Sequence, residues 1–536
     1  MTGNEYYKSE DVLKPILIEG LLKVRDWFHK QDAPYLRSIF DQVGFKDKDE
    51  TISAYYVKPT SITSNISYPT KVKDVLLDEI KAGTLNEIKT RYESLDENYL
   101  RLLTVNKLMF LLEKFGGTIP IEGNENISIF DTYKVRAAKA IIARNRKEFK
   151  HDPGNLIINL DLSGIQSFIY NITSQGALKN LRSRSFFIEL LCNHAIDRCI
   201  DAFNLHDVNI LMNGGGNIYI LSSKPPGYNE LLGSIDYNIN SWLLEKFNGR
   251  LHITFSTVEA SDENLKFDIS STLQEIAKAA FIKKNQKFQA IIQKGDLVFI
   301  NETDPSPQHC EICFRDSVLP QPKGREDYEE PIRCSFCDRL VRLGNVIPEI
   351  RYVQISNEDS GHCLQIENSY YLLSKVHRYD LPCRWVIYDE RIDFLNDLGT
   401  SAIPLFARTY VTTVDMLPKD IRQDIAEEKE ELYTQLSATE DQEEKQWLKD
   451  EIDSLGDKNA AMLEHLAASS RGAKLIGALR MDADNMGKII SKGFRGQATL
   501  EKLSSFSRNL NYLFRLYLGS LNKDRTIARA IVKCCV

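Results

Sequence analysis

Residues 156–169 read LIINLDLSGIQSFI, and residues 208–221 read VNILMNGGGNIYIL. The first is a β-branched, apolar run that ends on Asp161-Leu162-Ser163-Gly164. The second is a pair of apolar runs separated by Gly214-Gly215-Gly216. Runs of this kind predict strands over Leu156–Leu162, Val208–Asn213 and Ile218–Leu221, with a tight hairpin at the glycines. Working outward, apolar residues at helical spacing predict helices over Leu181–Phe203 and Tyr228–Phe247, and a closing strand over Leu251–Val258. The order is β-α-β-β-α-β, the ferredoxin-like arrangement.

That arrangement is the core of polymerase and nucleotide-cyclase palm domains, and its opening repeats near the end of the chain. Leu475–Met481 reads as a strand, Leu500–Leu521 as a helix and Thr526–Val532 as a strand. Laid against residues 156–169, residues 477–490 (GALRMDADNMGKII) place Asp482 on Asp161 and Asp484 on Ser163. Two-metal nucleotidyl chemistry needs carboxylates that converge on Mg²⁺ bound to triphosphate oxygens. Asp482 and Asp484 are placed for one such contribution, and a helix starting near Asn485 offers backbone N–H groups to phosphate. In the first copy a hydroxyl replaces the second carboxylate, which points to nucleotide binding without full metal chemistry. Gly214, Gly215 and Gly216 would let the backbone approach a nucleotide closely. The plainer alternatives are helix caps for Asp161 and Asp484 and an ordinary turn for the glycines.

Between the two copies lie Cys310-x2-Cys313 and Cys334-x2-Cys337, twenty residues apart. Two such knuckles bring four thiolates to one tetrahedral centre, the pattern of a closed, structural Zn²⁺ site. Pro305, Pro307, Pro320, Pro322 and Pro331 make the stretch loop-rich, so the metal would supply the folding free energy that a small core cannot. His309 is an alternative ligand. Cys192, Cys199, Cys363, Cys383, Cys534 and Cys535 have no partner spacing and read as core or incidental thiols.

The chain has 536 residues, 43% of them hydrophobic and 27% charged, which excludes a mainly disordered protein. With 68 Lys and Arg against 75 Asp and Glu, the net charge of −7 argues against a free-standing nonspecific DNA binder. No apolar run approaches the ~20 residues of a membrane span, and the N-terminus is acidic and polar. A cytoplasmic protein with reduced cysteines is expected.

The fold class expected is α+β. It comprises a helical N-terminal domain (1–150), a first palm (151–300), a zinc ribbon (301–345), a β-rich linker domain (346–418), a charged helical hairpin (419–470) and the first half of a second palm (471–536). Helices are predicted over Val12–His29, Thr70–Glu93 and Asn98–Phe115. Another is predicted over Phe281–Lys294, whose lysines read as a solvated face or as a phosphate-contacting surface. The adjacent pairs His151-Asp152 and His206-Asp207 lie beside Pro153-Gly154 and at a strand start, not on a helix as an HD phosphohydrolase requires.

Taken together, LDLSGIQSFIY, LKNLRSRSFFIELL, MNGGGNIYIL, the paired CxxC knuckles and LRMDADNMGKII resemble the large, polymerase/cyclase-like subunit of type III CRISPR effector complexes. The resemblance runs over about residues 125–533. It implies a crRNA-guided antiviral complex with backbone and small subunits that senses target RNA. It also implies two palms that bind ATP with Mg²⁺ or Mn²⁺ and convert it into cyclic oligoadenylate. Carried over, Asp161, Ser163 and Gly164 would line the first ATP site. Asp482 and Asp484 would be metal positions of the catalytic palm, and Cys310, Cys313, Cys334 and Cys337 the ribbon's ligands. The family's GGDD hairpin does not occur, and the chain ends after RTIARAIVKCCV, where that hairpin would begin. The expectation is therefore an ATP-binding subunit inactive by itself as a cyclase, whose catalytic remainder is absent or comes from another chain. No deoxyribonuclease activity is expected. A stand-alone signalling cyclase with a zinc ribbon is the alternative. An unpaired sheet edge and an uncovered apolar face over Leu510–Leu521 are expected at the C-terminus.

Overall fold

The computed structural model describes residues 3–30, 34–43, 54–62, 68–69, 77–149, 152–171, 177–296, 310–313, 333–347, 350–359, 363–387, 403–405, 419–440, 486–494 and 497–517, with Lys445, Leu448 and Ile452 singly. It is a mixed α+β structure that opens with helices α1 (Gly3–His29), α2 (Leu77–Arg91), α3 (Glu97–Leu102), α4 (Val105–Gly116) and α5 (Ile129–Lys147). The single helix expected over Asn98–Phe115 is two. Leu103 is extended, and the Thr104 hydroxyl accepts the Lys107 N–H, so Thr104 ends one helix and caps the next. Leu108, Leu111, Leu112 and Phe115 then face α1 and the interior.

The middle of the chain runs β1 (Asn155–Ser163), α6 (Ile165–Tyr170), α7 (Ala177–Ala202), β2 (Ile210–Gly214), β3 (Asn217–Ser223), α8 (Tyr228–Phe247) and β4 (His252–Ala260). Its four strands pair antiparallel throughout in the order β2-β3-β1-β4. This is the strand order that a β-α-β-β-α-β chain takes when each helix carries the chain across one intervening strand. Leu156, Ile158, Leu160, Ile220 and Leu221 are buried on the sheet, between helices and the rest of the core. The expected strand at Val208 begins two residues later. His206 caps a single 3₁₀ turn over Asp207–Asn209, and Asn209 is buried with its amide donating to Leu221 O.

After β4 come α9 (Asp262–Lys266), α10 (Ser270–Lys284) and α11 (Gln289–Lys294). The helix expected over Phe281–Lys294 is therefore interrupted. Phe288 sits at φ +59 and its N–H donates to His252 Nε2 at 3.4 Å. Helix α12 (Ser335–Val346) leads into a five-stranded sheet built from β5 (Tyr352–Ser356), β6 (Cys363–Ile366), β7 (Ser369–Ser374), β8 (Cys383–Ile387) and β9 (Ile403–Leu405).

Among the described residues three more α-helices follow, α13 (Lys419–Ala438), α14 (Met486–Lys492) and α15 (Leu500–Tyr512), the last running into a π-helical turn over Leu513–Tyr517. Most of the expected hairpin beyond α13 and both strands of the expected second palm lie outside the described residues. Helix α15 lies against β2 and α5, burying Leu500, Leu503 and Phe506. Tyr512 and Tyr517 are buried too, against Ile62, so the face expected to be uncovered is covered as far as it is described. Among the described residues no helix is long and apolar enough to cross a membrane.

Candidate metal centre and nucleotide-binding edge

The two cysteine knuckles fold alike. Cys310 Sγ accepts the Cys313 N–H at 3.5 Å, and Cys334 Sγ accepts the Cys337 N–H at 3.5 Å. In the second knuckle this bond also caps α12. All four sulphurs lie within 4.8 Å of one another, and Cys313 and Cys334 Sγ are 3.7 Å apart. A tetrahedron with metal–sulphur arms of ~2.3 Å has edges of about 3.8 Å, so the four ligands fit one such ion. Hydrogen bonding among the sulphurs holds the Cys310 thiol below its ordinary value and pushes the Cys334 and Cys337 thiols above theirs, so the protein alone favours one thiolate among thiols. Ionising all four together requires a cation between them. Cys192, Cys199 and Cys383 are buried free thiols, pushed up to about 12 by burial, and inert. His309, Cys534 and Cys535 lie outside the described residues.

The second candidate site is one end of the four-stranded sheet. Asp161 is paired with Asn217 on β3 and Thr254 on β4, and Ser163 with His252. The chain then turns at Gly164, φ +92, where a Cβ would fall 1.8 Å from Arg250 O. Close backbone approach and a positive φ both demand glycine there. The β2–β3 turn is the two-residue hairpin Gly215-Gly216, with φ of +60 and +78, the signature of a type I′ turn. Gly216 O accepts the Leu162 N–H at 2.8 Å, and a Cβ on Gly216 would lie 2.4 Å from Ile165 Cδ1. The LDLSG strand end and the glycine turn therefore meet, as pairing neighbours, at a single edge. Gly214 has open space around its Cα.

A cation already sits on the carboxylate of this edge. Lys284, the last residue of α10, holds its Nζ 2.7 Å from Asp161 Oδ2, with the lysine two-fifths exposed and the aspartate mostly covered. One lysine of the run read as a solvated or phosphate-facing surface is thus aimed at the sheet end. Asp482, Asp484 and Asn485 lie outside the described residues.

The residues that join these parts were not legible beforehand. Asp131 on α5, itself bonded to the Ser128 cap at 2.7 Å, takes Arg508 of α15. The Tyr512 hydroxyl donates to Glu113 at 2.7 Å. Burial pushes both the Glu113 carboxyl and the Tyr512 phenol up and the Lys134 ammonium down. The same helix reaches the glycine turn: Ser507 Oγ accepts the Asn213 N–H at 3.0 Å, and Asn511 donates to Asn213 O at 3.0 Å. His194, between Tyr371 (2.8 Å) and Glu367 (2.6 Å), ties α7 to the five-stranded sheet, as does Arg384 with Asp197 and Asp207. A Ser-x-x-Asp pattern is a capping signal that the sequence carries at Ser128 and Asp131, and it could have located this helix start.

Comparison with known proteins gives one consistent result. Residues 155–303 match the family model described as Csm1 subunit domain B. Three curated relatives, from Enterococcus italicus, Streptococcus thermophilus and Methanocaldococcus jannaschii, bear the name CRISPR system single-strand-specific deoxyribonuclease Cas10/Csm1 (subtype III-A). They are 23%, 22% and 24% identical over 71%, 88% and 91% of this chain. The chain spans 44%, 59% and 64% of their lengths. Among solved structures, the Csm1-Csm4 subcomplex of a type III-A CRISPR-Csm interference complex superposes with a TM-score of 0.59 at 18% identity, covering 96% of this chain and 60% of that one. A Csm1-Csm4 cassette with one ATP gives 0.60 at 17%, and one with cA3 gives 0.59 at 18%, with coverage of 96% of this chain and 60% and 59% of theirs. All three comparisons thus find this chain similar to Csm1 proteins of type III-A CRISPR systems.

Proposed function

We propose that this chain serves as the ATP-binding large subunit of a type III, RNA-guided CRISPR effector complex. The observation that carries the reading is the meeting of Asp161, Ser163, Gly164 and the Gly214–Gly216 turn at one sheet edge, with Lys284 held on the carboxylate. A structure of similar fold that binds ATP supports it.

In this reading residues 151–300 form a palm. The glycine turn presents bare backbone to the nucleotide, Lys284 swings from Asp161 to the triphosphate, and Asp161 is freed for a divalent cation, Mg²⁺ or Mn²⁺. The Cys310, Cys313, Cys334 and Cys337 set holds structural Zn²⁺, which orders the ribbon that a loop-rich sequence cannot order alone. Asp482 and Asp484 supply the matching edge of a second palm, with Asn485 opening the helix beside it. The division into domains follows the boundaries given above. Guide RNA, backbone and small subunits and target RNA are the partners.

ATP binding is the part of the family's chemistry assigned to these residues. Cyclic oligoadenylate synthesis is assigned to the assembled complex.

The test is incubation of the assembled complex with target RNA, Mg²⁺ and labelled ATP, alongside ATP binding to the chain itself. Binding by the chain and target-dependent oligoadenylate from the complex are expected. A chain that binds no ATP contradicts the reading. A stand-alone cyclase would instead make product without guide RNA or other subunits.

A further inference from the structure

The run Leu178–Leu191, LKNLRSRSFFIELL, has no role in nucleotide or metal binding as described so far. Its two arginines leave α7 for the cysteine module. Arg182 donates to Gly344 O of α12 at 2.9 Å. Arg184 donates to Phe168 O and holds its other terminal nitrogen 3.7 Å from Cys337 Sγ. From the loop before β4, Arg250 donates to Cys313 O.

Arg184 is the unusual member. It is 2% exposed, and among the described residues no carboxylate forms an ion pair with it. A guanidinium buried without a counter-charge is strongly unfavourable. Four thiolates around one divalent cation carry a net charge of −2, and the sulphur of Cys337 is the atom that Arg184 reaches. An apolar contact docks the same knuckle independently of charge. Phe336, between the two cysteines of CSFC, stands edge-on to Phe187 and Phe247 at 5.2 Å each.

We propose that Arg184 is a positioning residue for the metal centre, the buried counter-ion and hydrogen-bond donor of the tetrathiolate, through which α7 grips the metal-loaded form of the module. The inference rests on the zinc assignment above and adds to it a residue outside the ligand set. Outer partners of metal ligands typically govern affinity by about 10–100-fold, and a charge-assisted N–H to a bound thiolate does so by offsetting charge the ion leaves uncompensated.

The experiment uses the full chain, with metal content by elemental analysis, zinc transfer to a chromogenic chelator, and the sulphur-to-metal charge-transfer band of the Co²⁺-substituted protein. In Arg184→Met, zinc affinity is expected to fall by about 10–100-fold. The cobalt band should move to lower energy, because the sulphur loses a donor. Arg182→Met, which leaves the Arg184–Cys337 contact in place, should leave the band unmoved. Should Arg184→Met not fold, Arg184→Lys keeps a cation but not the two-pronged reach, and the band must still move. Unchanged affinity and an unmoved band in the Arg184 variants overturn the inference while leaving the zinc assignment standing. A wild-type chain that binds neither zinc nor tetrahedral cobalt overturns the zinc assignment itself.

Discussion

Arg508 Nη2 lies 2.6 Å from Asp131 Oδ2, across 377 residues of sequence, and both side chains are buried. Ser504 and Ser128 complete the shell around that carboxylate. The pair fixes α15 against α5, and neighbouring residues of α15, Ser507 and Asn511, hold Asn213 at the glycine turn. One helix thus connects the N-terminal helices with the proposed nucleotide edge.

Breaking the pair from one side strands a buried charge. Arg508→Met or Asp131→Asn should each destabilise the protein by about 3–5 kcal/mol. The double variant Asp131→Leu/Arg508→Met should recover much of that loss, since it leaves no charge unpaired. Denaturant midpoints of the three variants check this. Equal loss in single and double variants would mean that packing, not charge, holds the joint.

Lys284→Met should weaken ATP binding by about ten- to hundredfold, the equivalent of one charge-assisted hydrogen bond of ~1.5–3 kcal/mol. AMP, which lacks the triphosphate, should be bound as before. Mn²⁺ titrated alone should bind the variant more tightly than the wild type, because Asp161 has lost its built-in cation. Isothermal titration of each ligand decides all three.

The glycines at this end of the sheet are not equivalent. Gly164→Ala adds a Cβ at positive φ and 1.8 Å from a backbone oxygen, and should cost at least about 2 kcal/mol, while Gly216→Ala meets the mobile end of Ile165 at 2.4 Å and should cost about 1–2 kcal/mol, mostly from its positive φ. Gly214→Ala meets nothing within 4 Å and should change stability by less than about 0.5 kcal/mol. Thermal unfolding of the purified variants separates the two classes.

His252 is buried where β4 meets the α10–α11 turn, and burial, with help from Lys287, pushes its imidazole down to about 4. Its Nε2 accepts a backbone N–H, which requires the neutral ring. Between its ordinary value of 6.5 and about 4 the unfolded chain binds the extra proton and the folded chain does not. The contribution is therefore full above 6.5 and lost as pH falls toward 4, by about 3 kcal/mol in all. His252→Gln should flatten the stability profile in that window and leave the profile above pH 7 unchanged.

The four-stranded unit was legible because its signals are local. The β-branched apolar run ending at Asp161, the glycine run and the apolar face of Tyr228–Phe247 each specify an element without reference to the rest of the chain. The cysteine spacing was legible for the same reason. Breaks inside apolar runs were not. Thr104 caps a helix in the middle of a periodic stretch, and Phe288 takes a left-handed conformation that its side chain does not advertise. Least visible were the joints. Arg508 finds Asp131, Lys284 finds Asp161 and Arg184 finds Cys337 only once three dimensions are given, because a charged residue in sequence carries no address for its partner.

Photocrosslinking with 8-azido-ATP, followed by peptide mapping of the full chain, tests the central claim most directly. The account predicts ATP-competed labelling on peptides that contain Asp161–Tyr170 or Ile210–Asn217, reduced in Lys284→Met. Competed labelling confined to other peptides, or no competition by ATP at all, would contradict it.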